Sequence, residues 1–235
     1  MTRCSTARWR RRKTLWRTSE PLAEFVVLAT AEEVAESAAA EIAEALAGGG
    51  SLVLTGGTSP RRCYELLSEL TVPWGRVSVL FGDERCVPPL DPESNYRMAK
   101  ESLLDQVRPA TVYRIPGELG PDQGADAYAE VVANVAPFDF VLLGVGEDGH
   151  VNSLFPGHRA LRATGLTAGI HDSPKPPPER VTMTFEAIRD ARHVVIIATG
   201  AGKAAAVAAA RRGETPSGMI TGARWLIDRA ANGSR

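Results

Sequence analysis

The sequence predicts an α/β fold, a mostly parallel sheet with helices on both faces in a Rossmann-like, doubly wound arrangement. Three observations predict it. Apolar runs of strand length recur at residues 51–55, 77–81, 138–143 and 193–198 without polar alternation, as in strands covered on both faces. Between them lie segments with apolar residues every three or four positions, the period of a helix with one buried face. Gly, Pro and capping residues punctuate the passages from one to the other.

The first strand spans residues 24–30, and Thr30-Ala31-Glu32-Glu33 forms a capping box opening an Ala-rich helix. Val34, Ala38, Ile42 and Leu46 recur every four residues on its inner face, and residues 48–50 end it with three glycines. Residues 51–55 form the next strand. The loop Gly56-Gly57-Thr58 follows, with Ser59 as N-cap and Pro60 at the first position of a helix to about residue 70. A strand at 77–81, a helix over about 94–107, a strand near 112–115 and a helix over 123–135 continue the alternation. The strand at 138–143 runs into a glycine-rich loop. Residues 156–180 hold five prolines and three glycines, which argues against regular structure there. Strands at 181–185 and 193–198, a helix at 202–211 and a closing helix at 225–230 complete the pattern.

At 235 residues, 44% hydrophobic and 23% charged, the chain has the composition of a globular protein with a sizeable core. Its domain organisation reads as one α/β catalytic domain over residues 20–235 behind a basic extension, residues 1–19, without fixed structure. The extension holds seven basic residues and no acid. Of the 27 basic and 28 acidic residues overall, 20 and 28 therefore remain beyond it, a net −8. No apolar run approaches the ~18 residues of a membrane span. Three cysteines, Cys4, Cys63 and Cys86, in no metal-ligand spacing argue against a disulfide framework and a structural zinc. The expectation is a cytoplasmic protein, a monomer or weak homo-oligomer, that binds neither nucleic acid nor membrane.

Three loops at strand ends carry chemistry. In Gly56-Gly57-Thr58-Ser59-Pro60, glycines admit an anion close to backbone N–H groups and the helix that follows directs its positive end there, a phosphate cradle. The run Gly144-Val145-Gly146-Glu147-Asp148-Gly149 has the spacing of a dinucleotide fingerprint, but it leads through His150 to Pro156 rather than into a helix, so the dinucleotide reading fails. The same loop presents His150 as a general base with Asp148 as its neighbouring carboxylate. Gly82-Asp83-Glu84-Arg85 adds carboxylates and a guanidinium, while Lys175, Arg180 and Lys203 offer further cations. Cys86 reads as a small buried hydrophobe.

Lined up, these blocks resemble the 6-phosphogluconolactonases, and through them the wider group that includes the glucosamine-6-phosphate deaminases. The resemblance runs over about residues 22–231. It rests on Leu54 to Pro60, on Phe81 to Arg85 with Ser94-Asn95-Tyr96-Arg97, on Gly144 to Pro156, on Ser173 to Thr182 and on Thr199 to Lys203. Asn152 stands where a smaller residue, usually Ala, is expected. The resemblance implies hydrolysis of a small sugar-phosphate lactone, 6-phospho-D-glucono-1,5-lactone, to 6-phosphogluconate in the oxidative pentose phosphate pathway, without metal or cofactor. His150 would be the base and Asp148 its orienting group, with Gly56, Gly57, Thr58, Asp83, Arg85, Arg180 and Lys203 holding substrate and phosphate.

Two competitors differ in what they need. A deaminase-like isomerase moves a proton at C2 and carries a Glu shortly after Asp-Gly-His. Here Ser153-Leu154-Phe155-Pro156 has no acid, and Arg85 replaces the aromatic expected after Asp-Glu. A non-catalytic sugar-phosphate regulator using the basic extension on nucleic acid lacks a helix-turn-helix pattern.

Overall fold

The computed structural model describes residues 23–233; the extension at residues 1–19 and Cys4 lie outside the described residues. Strand β1 (Glu24–Leu28) leads to helix α1 (Ala31–Ala45). The capping box forms in part, with the carboxylate reaching one residue before the cap. Thr30 Oγ1 accepts from the Glu33 N–H at 3.2 Å, and the Glu33 carboxylate accepts from the Ala29 N–H at 2.7 Å. Val34, Ala38 and Ile42 face inward, as their spacing predicts.

Strand β2 (Gly50–Leu54) is followed by α2 (Thr58–Glu69), β3 (Val77–Phe81) and β4 (Asp83–Arg85). Helix α2 begins two residues earlier than its Ser-Pro signal suggests. Gly57, at φ 113°, is the N-cap, and Ser59 Oγ turns to Thr199 Oγ1, 2.6 Å away. Pro60 then sits in the first turn, where a missing N–H costs no helical hydrogen bond. The helix expected over 94–107 is α3 (Asn95–Ala99) running into a π-turn at Lys100–Leu104. Next come β5 (Thr111–Val112), α4 (Pro121–Val135), β6 (Phe140–Gly144), β7 (Thr167–Ile170), β8 (Arg180–Met183), α5 (Phe185–Ile188), β9 (His193–Ala198), α6 (Ala204–Arg211) and β10 (Arg224–Asp228).

Seven strands form a parallel sheet in the order β1-β10-β9-β6-β2-β3-β5. Phe140, Val141, Leu142 and Leu143 are all buried, so both faces of β6 are covered. Truncating one of these leucines to Ala should cost about 2–5 kcal/mol through lost burial and the cavity left. Among the described residues, no helix is long and apolar enough to cross a membrane.

Two sequence expectations are corrected. Residues 225–230 do not form a closing helix: Trp225, Leu226 and Ile227 are buried in β10, between β1 and β9, where Trp225 stacks on Phe25 with ring centroids 5.0 Å apart. A short apolar run carries no period to separate strand from helix, and burial on two faces decides it. Residues 156–180 are not wholly irregular either. Within them β7 pairs antiparallel with β8, which also pairs with β4, giving a three-stranded sheet beside the main one. Neither β4, with its sequence Asp-Glu-Arg, nor the glycine-containing β7 has strand composition; pairing with β8 supplies their order.

Chain order reverses across β2 and β6, neighbours in the sheet that are far apart in sequence. The loops leaving the carboxyl ends of β2, β3, β6 and β9 meet there, the usual place for a ligand on an open α/β sheet.

Candidate active site

Two buried tyrosines hold the frame. Tyr64, on α2, accepts from the Thr55 N–H and donates to the Thr55 carbonyl, both at 2.8 Å. Tyr128, on α4, repeats this at Phe81, with distances of 2.9 and 3.0 Å. Each phenol therefore satisfies both backbone groups at or just beyond the end of a strand from which a site loop departs. Burial raises the pKa of both hydroxyls, keeping them neutral. Sequence reading missed these residues, although a Tyr at an inward helix position signals a buried hydroxyl in need of partners.

A cleft of about 190 Å³ opens above the sheet. Thr55 to Pro60 form one wall, Gly144 to Gly146 with His150 and Asn152 another, and Asp83, Arg85, Asn95, Lys175, Arg180 and Lys203 close the remainder. All the residues singled out for phosphate or substrate thus share one space with His150. Asp148 stands behind His150.

The glycine loop is a compact turn. The Gly146 N–H donates to the His150 carbonyl and the Gly149 N–H to the Gly146 carbonyl, each at 2.9 Å. Gly146 has to be glycine, because a Cβ there would lie 2.0 Å from His150 Nδ1. His150 Nδ1 is 2.5 Å from Asp148 Oδ1, and the ring packs against Phe155 with centroids 4.5 Å apart. With Nδ1 engaged, Nε2 is the nitrogen left to exchange a proton. Burial alone would raise the Asp148 pKa; the hydrogen bond to His150 and the charges of His150 and Lys175 outweigh it and hold the carboxyl well below the usual Asp range. Lys175 Nζ lies 3.5 Å from the same oxygen.

Asp83 and Glu84 are buried and already committed. Asp83 Oδ1 accepts from Asn95 Nδ2 at 3.0 Å and Oδ2 from Ser153 Oγ at 2.6 Å. Glu84 accepts from the Ser94 hydroxyl and from the N–H groups of Arg85, Asn95 and Tyr96, thereby closing the start of α3. Burial pushes the Glu84 pKa up, and these four donors pull it part of the way back. Asp83 therefore braces the cleft floor and has both oxygens engaged.

The cations differ in the same way. Arg180, only 3% exposed, donates from Nε to the Pro177 carbonyl and from Nη2 to the carbonyls of Lys175 and Pro176, each at 3.0 Å. It holds the proline loop in place and leaves Nη1 outside these bonds, 3.5 Å from Ser153 Oγ. Arg85 donates from Nη1 to the Glu93 carbonyl at 2.5 Å, while its buried Nε has no partner. The Lys203 ammonium makes no hydrogen bond or ion pair among the described residues, and desolvation lowers its pKa against the opposing charge of Glu147. Of the three, Lys203 is the one whose charge is wholly available.

Cys86 is half-buried and its thiol is pushed up to about 12, chiefly by burial, so it is no nucleophile at neutral pH. Gly144 to Gly149 open no helix, as expected. Among the described residues, no three His, Cys, Asp or Glu side chains gather to hold a metal ion.

Residues 24–227 match the family described as glucosamine-6-phosphate isomerases/6-phosphogluconolactonase. The chain is 41% identical over 208 residues to a 6-phosphogluconolactonase of Mycobacterium leprae, covering 77% of this chain and 83% of the relative. It is 41% identical over 215 residues to one of Streptomyces coelicolor, covering 78% and 81%. Among solved structures, the 6-phosphogluconolactonase from Trypanosoma brucei superposes with a TM-score of 0.80 at 26% identity, over 92% of this chain and 99% of that one.

Proposed function

Because this chain belongs to the glucosamine-6-phosphate isomerase/6-phosphogluconolactonase family, we propose that its cleft performs lactone hydrolysis with His150 as general base and Asp148 as the group that orients it. The activity itself is that of a 6-phosphogluconolactonase. Water adds to the C1 carbonyl of 6-phospho-D-glucono-1,5-lactone while His150 Nε2 takes its proton. The tetrahedral intermediate then breaks the bond from C1 to the ring oxygen. The imidazolium returns its proton to that oxygen, leaving a neutral His150 and an open-chain acid whose C1 carboxyl releases its proton to solvent to give 6-phosphogluconate.

One observation carries this reading: the 2.5 Å contact between His150 Nδ1 and Asp148 leaves Nε2 available in the same cleft as an anion cradle and a free ammonium. The first N–H groups of α2, beginning at Thr58, have no partner within the helix, and the helix dipole is positive there. With Lys203 they suit the 6-phosphate. Anchoring that remote group sets the carbonyl before the base and turns binding energy into orientation. Arg85 and the Nη1 end of Arg180 remain to offset charge growing on the carbonyl oxygen. The reading carries with it a place in the oxidative pentose phosphate pathway and a cytoplasmic location.

The test is proton release on adding freshly prepared 6-phosphogluconolactone, compared with its spontaneous hydrolysis. His150→Ala should lower kcat by roughly 100-fold or more in a variant that still folds. Near-normal turnover in that variant removes His150 from the mechanism.

A further inference from the structure

Asn152 breaks two rules at once. Its backbone sits at φ 49°, the one non-glycine residue with positive φ among the described residues, and its side chain is buried, 5% exposed, with neither Nδ2 nor Oδ1 hydrogen-bonded. Asn takes this left-handed state more readily than other residues with a Cβ, while each orphaned polar atom adds a desolvation cost. Folds keep such costs chiefly at functional sites. The amide is closed off against the bare face of Gly82, where a Cβ would come within 2.4 Å of Oδ1, while the residue borders the cleft beside His150, Asp83 and Arg180.

We propose that Asn152 is a specificity-determining residue whose carboxamide, turning from Gly82 into the cleft, grips two adjacent ring hydroxyls of the lactone; this rests on the lactonase reading above. The chemistry of the amide selects the group. A phosphate or a carbonyl oxygen accepts only, and would satisfy Nδ2 while leaving Oδ1 facing another oxygen. A vicinal diol matches both halves, one hydroxyl accepting from Nδ2 and its neighbour donating to Oδ1. The lactone presents hydroxyls at C2, C3 and C4, between the carbonyl assigned to His150 and the phosphate assigned to α2. Either adjacent pair includes the 3-hydroxyl.

That shared hydroxyl makes the test. kcat/KM is measured for wild type, Asn152→Ala and Asn152→Gly on 6-phosphogluconolactone and on its 3-deoxy analogue. The variants should lose about 10- to 100-fold on the full lactone, and all three proteins should fall within about threefold of one another on the analogue. Asn152→Gly keeps the test independent of folding, because glycine accepts the positive φ and should melt within a few degrees of wild type. Variants that match wild type on both substrates, or that lose equally on both, overturn the assignment of Asn152 alone. A wild-type enzyme that does not accelerate hydrolysis of the full lactone overturns the lactonase reading, and the diol grip with it.

Discussion

His150 Nδ1 lies 2.5 Å from Asp148 Oδ1, and Lys175 Nζ approaches the same carboxylate oxygen at 3.5 Å. One carboxylate thus orients the imidazole and tethers the proline loop to the glycine loop. Asp148→Asn should disturb both. kcat is expected to fall about 10-fold or more, since the amide can present its NH₂ to Nδ1 and favour the wrong tautomer, with a smaller change in KM.

The same carboxyl sets a pH dependence of stability. Its pKa is lower in the folded chain than in the unfolded one, so its contribution is complete above the ordinary Asp range and is lost as pH falls from about 4 toward the lowered value. The urea midpoint of wild type should exceed that of Asp148→Asn at pH 7, and the gap should narrow at pH 3. A gap independent of pH would mean that the pair contributes through packing and not through charge.

Lys203 and Arg180 should separate under substitution. Lys203→Ala should raise the inhibition constant for 6-phosphogluconate by an amount worth about 1.5–3 kcal/mol, with no change in melting temperature, because its ammonium holds nothing else. Arg180→Ala should weaken product binding and also lower stability by roughly 3 kcal/mol, because three loop carbonyls lose a buried donor. Unchanged product inhibition in Lys203→Ala would move the phosphate away from the start of α2.

Glu84 is a prediction about architecture. Its carboxylate gathers three backbone N–H groups and a hydroxyl, and Glu84→Ala leaves them buried without an acceptor. A loss of about 2–4 kcal/mol in urea unfolding is expected, with weakened lactonase activity from the displaced Asp83–Arg85 strand. Full stability in that variant would show that water replaces the carboxylate at no cost.

Most of the sheet was legible because its strands advertise themselves: Phe140 to Leu143 and His193 to Ala198 are apolar runs bounded by turn chemistry, and Thr30 with Glu33 marks the start of α1. β10 was misread because Trp225, Leu226 and Ile227 are too few to display a period. The small sheet was invisible because only pairing with β8 makes Asp83–Arg85 a strand. That His150 and Asp148 stand together could be anticipated from residue type and spacing. The division of labour among the cations could not, since Arg180 is tied up by carbonyls from its own loop and Lys203 is not, a difference written in three dimensions only. Asn152 stood out as an unusual residue in its motif; its backbone state and unsatisfied amide came from the fold.

The tyrosine clamps have a consequence for how the enzyme meets its substrate. Thr55 and Phe81 would otherwise be where the sheet frays, yet each has both backbone groups closed by a phenol rooted in a helix. Their amide hydrogens should rank among the slowest to exchange, with opening free energies near that of global unfolding. A cradle mounted on such posts is rigid before the ligand arrives, so little ordering entropy is lost on binding, and loops beyond the posts can change sequence without moving the point from which they are aimed.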